Sequence, residues 1–132
     1  MTERIIRAMQ NPYVTIIGHP TGRLVQQRDP YSVDVEQLVE AARKTGTILE
    51  VNAAPERLDL KDVHVRLAKE SGVLLAVNTD AHSTSQLRYM VLGVGTARRG
   101  WAEAKDVVNT RPLHELLELV GRKRPVRRRS RR

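Results

Sequence analysis

Apolar residues along this chain follow two alternating rhythms. Short runs of β-branched and aliphatic residues recur at residues 13–18, 47–52 and 73–78, and each stops abruptly at polar residues. Between them, apolar positions return every three or four residues. The first rhythm is that of buried parallel strands, and the second is that of amphipathic helices packed on a sheet. Residues 2–9 read as the last turns of a helix, with Ile5, Ile6 and Met9 on one side, Thr2 as a candidate cap and Asn11-Pro12 as the stop. Residues 34–45 carry Val35, Leu38, Val39, Ala41 and Ala42 as one stripe, with acids early, bases late and Gly46 just past the end. Residues 60–71 repeat the pattern with Leu60, Val63, Leu67 and Ala68, and Gly72 stops them.

Three strand-then-helix units of roughly 30 residues predict an α/β fold, built either as part of a β/α barrel or as an open parallel sheet. Beyond residue 82, Ser83-Thr84-Ser85 opens a predicted helix through Leu87, Met90 and Val91. A tight bend is expected at Gly93, Gly95 and Gly100, a helical stretch at 104–108 and a final amphipathic helix over 112–120.

The strand ends carry the candidate chemistry. The third run ends at Asp80 and His82, two residues apart, so on an extended backbone they point the same way. A carboxylate and an imidazole converging on one point suit a divalent cation such as Mn²⁺ or Zn²⁺. Alternatively, Asp80 caps the next helix and His82 bonds within a loop. The recurrence of the pattern bears on that choice. The first run leads into His19, Pro20, Thr21, Gly22 and Arg23, and the second ends with Glu50 and Asn52 on one face. Both candidate architectures place their sites at the C-terminal ends of strands. His64 and His114 fall within helical stretches and read as packing or surface residues.

Composition narrows the picture. The 132 residues suit one domain, and the lack of cysteine excludes disulfides, thiolate metal sites and a cysteine nucleophile. No apolar run approaches the roughly 20 residues of a membrane span, so a soluble, cytoplasmic protein is expected. The four aromatics, Tyr13, Tyr31, Tyr89 and Trp101, are dispersed and form no base-stacking platform. The net charge of +8 is unevenly placed. Arg122, Lys123, Arg124, Arg127, Arg128, Arg129, Arg131 and Arg132 hold eight of the 23 basic residues, and the other 15 match the 15 acidic ones. The expected organisation is therefore a formally neutral folded part, residues 1–121, and a basic, disordered tail, 122–132. Such a tail either binds the phosphate backbone of DNA through counterion release or serves only solubility.

Five blocks in order carry a resemblance to a known family: Gly18-His19-Pro20-Thr21-Gly22-Arg23, Leu49-Glu50-Val51-Asn52-Ala53, Arg57-Leu58-Asp59-Leu60, Asn78-Thr79-Asp80-Ala81-His82 and Ala97-Arg98-Arg99-Gly100-Trp101. From about residue 11 to 117 the chain resembles the C-terminal part of the PHP (polymerase and histidinol phosphatase) domain of bacterial family X DNA polymerases. The resemblance implies a portion of a distorted β/α barrel with up to three divalent metals, Mn²⁺ or Zn²⁺, at the strand ends. The implied activity is phosphoester hydrolysis, as a 3′–5′ exonuclease and DNA end-processing domain. Under it, His19, Asp80 and His82 are metal ligands, Asp80, His82 and Arg23 act in catalysis with Arg23 on the phosphate, and Glu50 and Asn52 lie at the pocket rim. The family's opening His-x-His pair has no counterpart here. The resemblance therefore implies a truncated domain, weak or inactive alone, that self-associates or needs a missing N-terminal half-domain and a polymerase domain. Two alternatives stand beside it, a non-catalytic remnant binding nucleic acid through its tail and a histidinol-phosphate phosphatase-like hydrolase.

Overall fold

The computed structural model describes residues 1–122. Three short strands, β1 (Ile16–Ile17), β2 (Ile48–Asn52) and β3 (Leu75–Asn78), form a parallel sheet in the order β1-β2-β3. Five α-helices accompany them: α1 (Thr2–Met9), α2 (Val35–Thr45), α3 (Asp62–Glu70), α4 (Met90–Arg99) and α5 (Leu113–Gly121). Consecutive strands are parallel and separated by helices, so the fold is α/β and matches the expected portion of a β/α barrel.

Local sequence explains both limits of α2. Asp34 caps α2 by accepting the Gln37 amide at 3.0 Å, and Gly46 ends it in the left-handed region at φ 68°. The α1 limits agree with the sequence, but Met1 is the cap; Thr2 Oγ1 instead accepts the Asp34 amide at 2.9 Å and ties the starts of α1 and α2 together. Met9 and Leu38 are buried in the same cluster as Leu49, Val51, Leu75 and Val77, which face the helices from the sheet.

The opposite face follows from the period of two along each strand. Ile48 and Ala76 form a second apolar cluster with Val108, and Leu116 and Leu119 of α5 pack against it. Two residues further along that face are Glu50 and Asn78, followed on β2 by Asn52. One face of the sheet is thus apolar at its N-terminal end and polar at its C-terminal end. That division positions the site.

Three further expectations change. Gly93 and Gly95 lie inside α4 rather than at a bend. A Cβ on Gly93 would fall 2.6 Å from Val77 Cγ1 and 2.8 Å from the Ala53 Cβ, so the glycine lets α4 approach the sheet. The segment entered at Ser83 is a 3-10 turn, Thr84–Tyr89, leading into α4, and the 104–108 stretch is divided between the 3-10 turns Ala104–Asp106 and Val108–Thr110. Lys123, Arg124, Arg127, Arg128, Arg129, Arg131 and Arg132, the bulk of the basic tail, lie outside the described residues.

Candidate functional site

Beyond the C-terminal edge of the sheet, three left-handed residues turn the chain. His19 has φ 48°, Leu58 φ 44° and Asp80 φ 55°. None is glycine, and bulky residues in this region mark backbone held by its surroundings. For His19 the holding contacts are visible. Its amide donates to Glu50 Oε2 at 2.8 Å, and the amides of Thr21 and Gly22 both donate to Asp59 Oδ2, at 3.0 and 2.9 Å. Asp59 is buried and paired through its backbone with Asn52, so the loop after β1 is fastened to β2. Burial pushes the Asp59 carboxyl above the ordinary aspartate range, partly opposed by the amides it accepts and by the Arg23 charge.

The His19 ring lies between two carboxylates. Nδ1 is 3.4 Å from Glu50 Oε2 and 3.1 Å from Asn52 Nδ2, and Nε2 is 3.7 Å from Asp80 Oδ2. Asn52 Oδ1 accepts the Ala54 amide at 3.0 Å, which assigns its Nδ2 as the donor facing the ring. Glu50 Oε1 accepts from Asn78 Nδ2 at 2.9 Å, a contact produced by the strand register that sets Asn52 opposite Asn78. Arg57 Nε is 3.4 Å from Asp80 Oδ2.

The sequence-predicted residues are therefore only partly brought together. His19, Glu50, Asn52 and Asp80 form one cluster. Glu50 and Asn52, expected at a pocket rim, are instead 7% and 0% exposed and form its floor, because a five-residue central strand is covered on both faces. His82 is exposed. Its Nδ1 lies 2.7 Å from the Asp80 carbonyl oxygen, and its amide donates to Gln86 Oε1. The expected alternation that would aim Asp80 and His82 alike does not apply, since β3 ends at Asn78 and Asp80 is left-handed. Arg23 donates from Nε and Nη2 to the carbonyls of Arg57 and Leu58, at 2.7 and 2.6 Å. The cation beside Asp80 is Arg57, to which sequence reasoning assigned no role.

These residues fit a divalent cation in part. The 3.7 Å between His19 Nε2 and Asp80 Oδ2 is close to the span of two donors placed roughly 2.0–2.2 Å from one tetrahedral ion. Glu50 behind Nδ1 is the kind of carboxylate partner that orients a metal-ligating histidine in the tautomer that carries Nδ1–H, while the Asn52 amide at the same atom favours the other tautomer. Among the described residues, no three His, Asp or Glu side chains converge to hold a metal ion.

A parallel α/β sheet with its polar cluster at the C-terminal edge is the layout in which β/α-barrel domains carry their sites. Comparison with known proteins agrees. The chain is 50% identical over 120 residues, 91% of its length, to the DNA polymerase/3'-5' exonuclease PolX of Bacillus subtilis (strain 168). It is 37% identical over 87 residues to a probable phosphatase of Thermoanaerobacter sp. (strain X514), and 33% identical over 86 residues to a probable phosphatase of Caldicellulosiruptor bescii. No family model matches the chain. The resemblance to the PHP domain of bacterial family X DNA polymerases thus holds over nearly all of this sequence. The chain spans about a fifth of the length of the polymerase and a third of the length of each phosphatase.

Proposed function

We propose that these residues form part of a divalent-metal-dependent phosphoesterase domain of a DNA polymerase, acting in 3′–5′ exonuclease or DNA end-processing reactions. The observation that carries this reading is the approach of His19 to Asp80 over a floor of Glu50, Asn52 and Asn78. His19 and Asp80 would hold a Mn²⁺ or Zn²⁺ ion, with His82 as a further donor from the same turn. A bound cation would supply Lewis-acid activation of water and charge neutralisation at the phosphate. The protein's own contribution is to orient the His19 ring through Glu50 and Asn52, and to set Arg57 beside the Asp80 carboxylate, where a phosphate oxygen can take one of its donors. DNA is the proposed polymer substrate. Ligands from elsewhere in a complete domain would finish the coordination shell, so these 132 residues alone are expected to hydrolyse slowly.

The resemblance to probable phosphatases supports a second reading, hydrolysis of a small phosphomonoester at the same cluster. Metal analysis of the purified chain, followed by Mn²⁺-dependent assays on a single-stranded oligonucleotide and on a phosphomonoester, tests both readings. Metal retention lost in Asp80→Ala, with slow release of 3′ nucleotides, supports the first. Equal metal content in wild type and Asp80→Ala would remove the cluster from the site.

A further inference from the structure

A second feature lies on the other side of residues 57 and 58 in the bonding pattern. Arg57 directs its side chain to Asp80, while its carbonyl, with that of Leu58, holds the guanidinium of Arg23. Arg23 in turn lines an open cavity of about 510 Å³ together with Arg28, Asp29 and Lys61. Arg28 is fixed as well. Its Nη2 donates to the Gly22 carbonyl at 2.7 Å, its guanidinium lies 5.1 Å from the centre of the Tyr31 ring, and its backbone bridges Leu24.

Three cations and one carboxylate line this cavity, and among the described residues neither arginine nor Lys61 forms an ion pair. Both arginines are held by backbone carbonyls and keep most of their five donors for another acceptor. The positive potential also reaches His64, whose pKa is lowered by burial first and then by Lys61 and Arg23. A second cavity shares Arg23 and Lys61 with the first and is lined further by Asp62, Thr96 and Arg99, of which Asp62 and Arg99 pair with each other at 2.9 Å. The two cavities share Arg23 and Lys61, so together with Arg28 three cations that form no ion pair among the described residues line a continuous groove.

We propose that this groove holds the phosphodiester backbone of a single DNA strand next to the linkage that the His19–Asp80 cluster acts on. Arg23, Arg28 and Lys61 would contact phosphate oxygens and position the strand without reading its sequence. The assignment to a substrate strand rests on the proposed nuclease function. The existence of the anion site does not.

Amide NMR of the full chain, titrated with a 5′-phosphorylated thymidine dinucleotide and separately with inorganic phosphate, tests the proposal. The expected result is shifts at the amides of residues 22–31 and 61, saturating at lower concentration with the dinucleotide. Lys61→Ala should move their saturation to higher ligand concentration and reduce the log–log salt slope of oligonucleotide binding by about 0.7, the value for one single-strand phosphate contact. Lys61→Arg, which keeps the charge, should leave both unchanged. Shifts confined to residues 122–132, or inorganic phosphate binding as tightly as the dinucleotide, would overturn the strand assignment. Binding at residues 22–31 without Mn²⁺-dependent cleavage would support the groove and count against the nuclease reading alone.

Discussion

The side-chain amide of Asn109 closes the outer edge of β3 by pairing with Val77 as a strand would. Asn109 Nδ2 donates to the Val77 carbonyl, and the Val77 amide donates to Asn109 Oδ1, both at 2.8 Å. A bridge between Leu75 and Val107 continues the pairing. The β1 edge has no such cover among the described residues, and Ile16 there is 40% exposed. Replacing Asn109 with Ala should remove two hydrogen bonds from buried backbone and lower stability by about 1–3 kcal/mol. It should also promote self-association through the newly open edge. Urea unfolding and sedimentation velocity read the two effects separately, and unchanged values in both would show that solvent replaces the amide fully.

Gly93 and Gly95 form a matched pair within one helix. Alanine at 93 meets Val77 and Ala53 and should destabilise by about 1–3 kcal/mol through overpacking. Alanine at 95 has nothing within 4 Å and should stabilise by roughly 0.5–1 kcal/mol through helix propensity. Thermal unfolding of both variants should give shifts of opposite sign.

Asp59 provides a pH test. Its folded pKa is raised by burial, so between the unfolded value and the folded one the folded state binds more protons. Stability attributable to this group therefore increases as pH falls through its folded pKa, and is lower once it is ionised. Asp34 and Glu40 act in the opposite sense at lower pH, since hydrogen bonds from Gln37 lower Asp34 and the contacts with Arg43 and Lys44 hold Glu40 at about 2. In Asp59→Asn the rise in stability on mild acidification should disappear. A stability–pH curve identical to wild type above pH of about 4 would show that Asp59 titrates normally.

Glu50 is predicted to act on a metal through His19. Glu50→Gln keeps one acceptor oxygen, for either the His19 amide or Asn78, and removes the charge behind Nδ1. Mn²⁺ affinity measured by calorimetry should fall about 10–100-fold. An unchanged affinity would mean that Glu50 does not act on the metal through the His19 ring.

The basic C-terminal residues should dominate non-specific binding to duplex DNA. If all eight charges over 122–132 contact phosphates, the log–log salt slope should be roughly −7. Converting Arg127, Arg128 and Arg129 to Gln should reduce its magnitude by about 3. An unaltered slope would assign the contacts to the folded body.

What was legible in the sequence was whatever neighbouring residues decide among themselves. The α1 limits, the Gly46 stop and the three parallel strands follow from periodicity and capping, which act within a few residues. The gathering of polar residues at strand ends was legible for the same reason, as were the matching family blocks around His19, Glu50 and Asp80. Tertiary structure decided the rest. Arg57 rather than Arg23 meets Asp80, Asn78 reaches Glu50, Gly93 sits within a helix against Val77, and Asn109 stands in for a strand. Each of these depends on segments distant in the chain being brought to a particular register and turn. The left-handed turns at His19, Leu58 and Asp80 redirect side chains away from the alternation that a strand imposes. Periodicity specifies which face a residue occupies, but the direction of a side chain beyond the last strand residue is set by contacts that form only when the sheet is assembled.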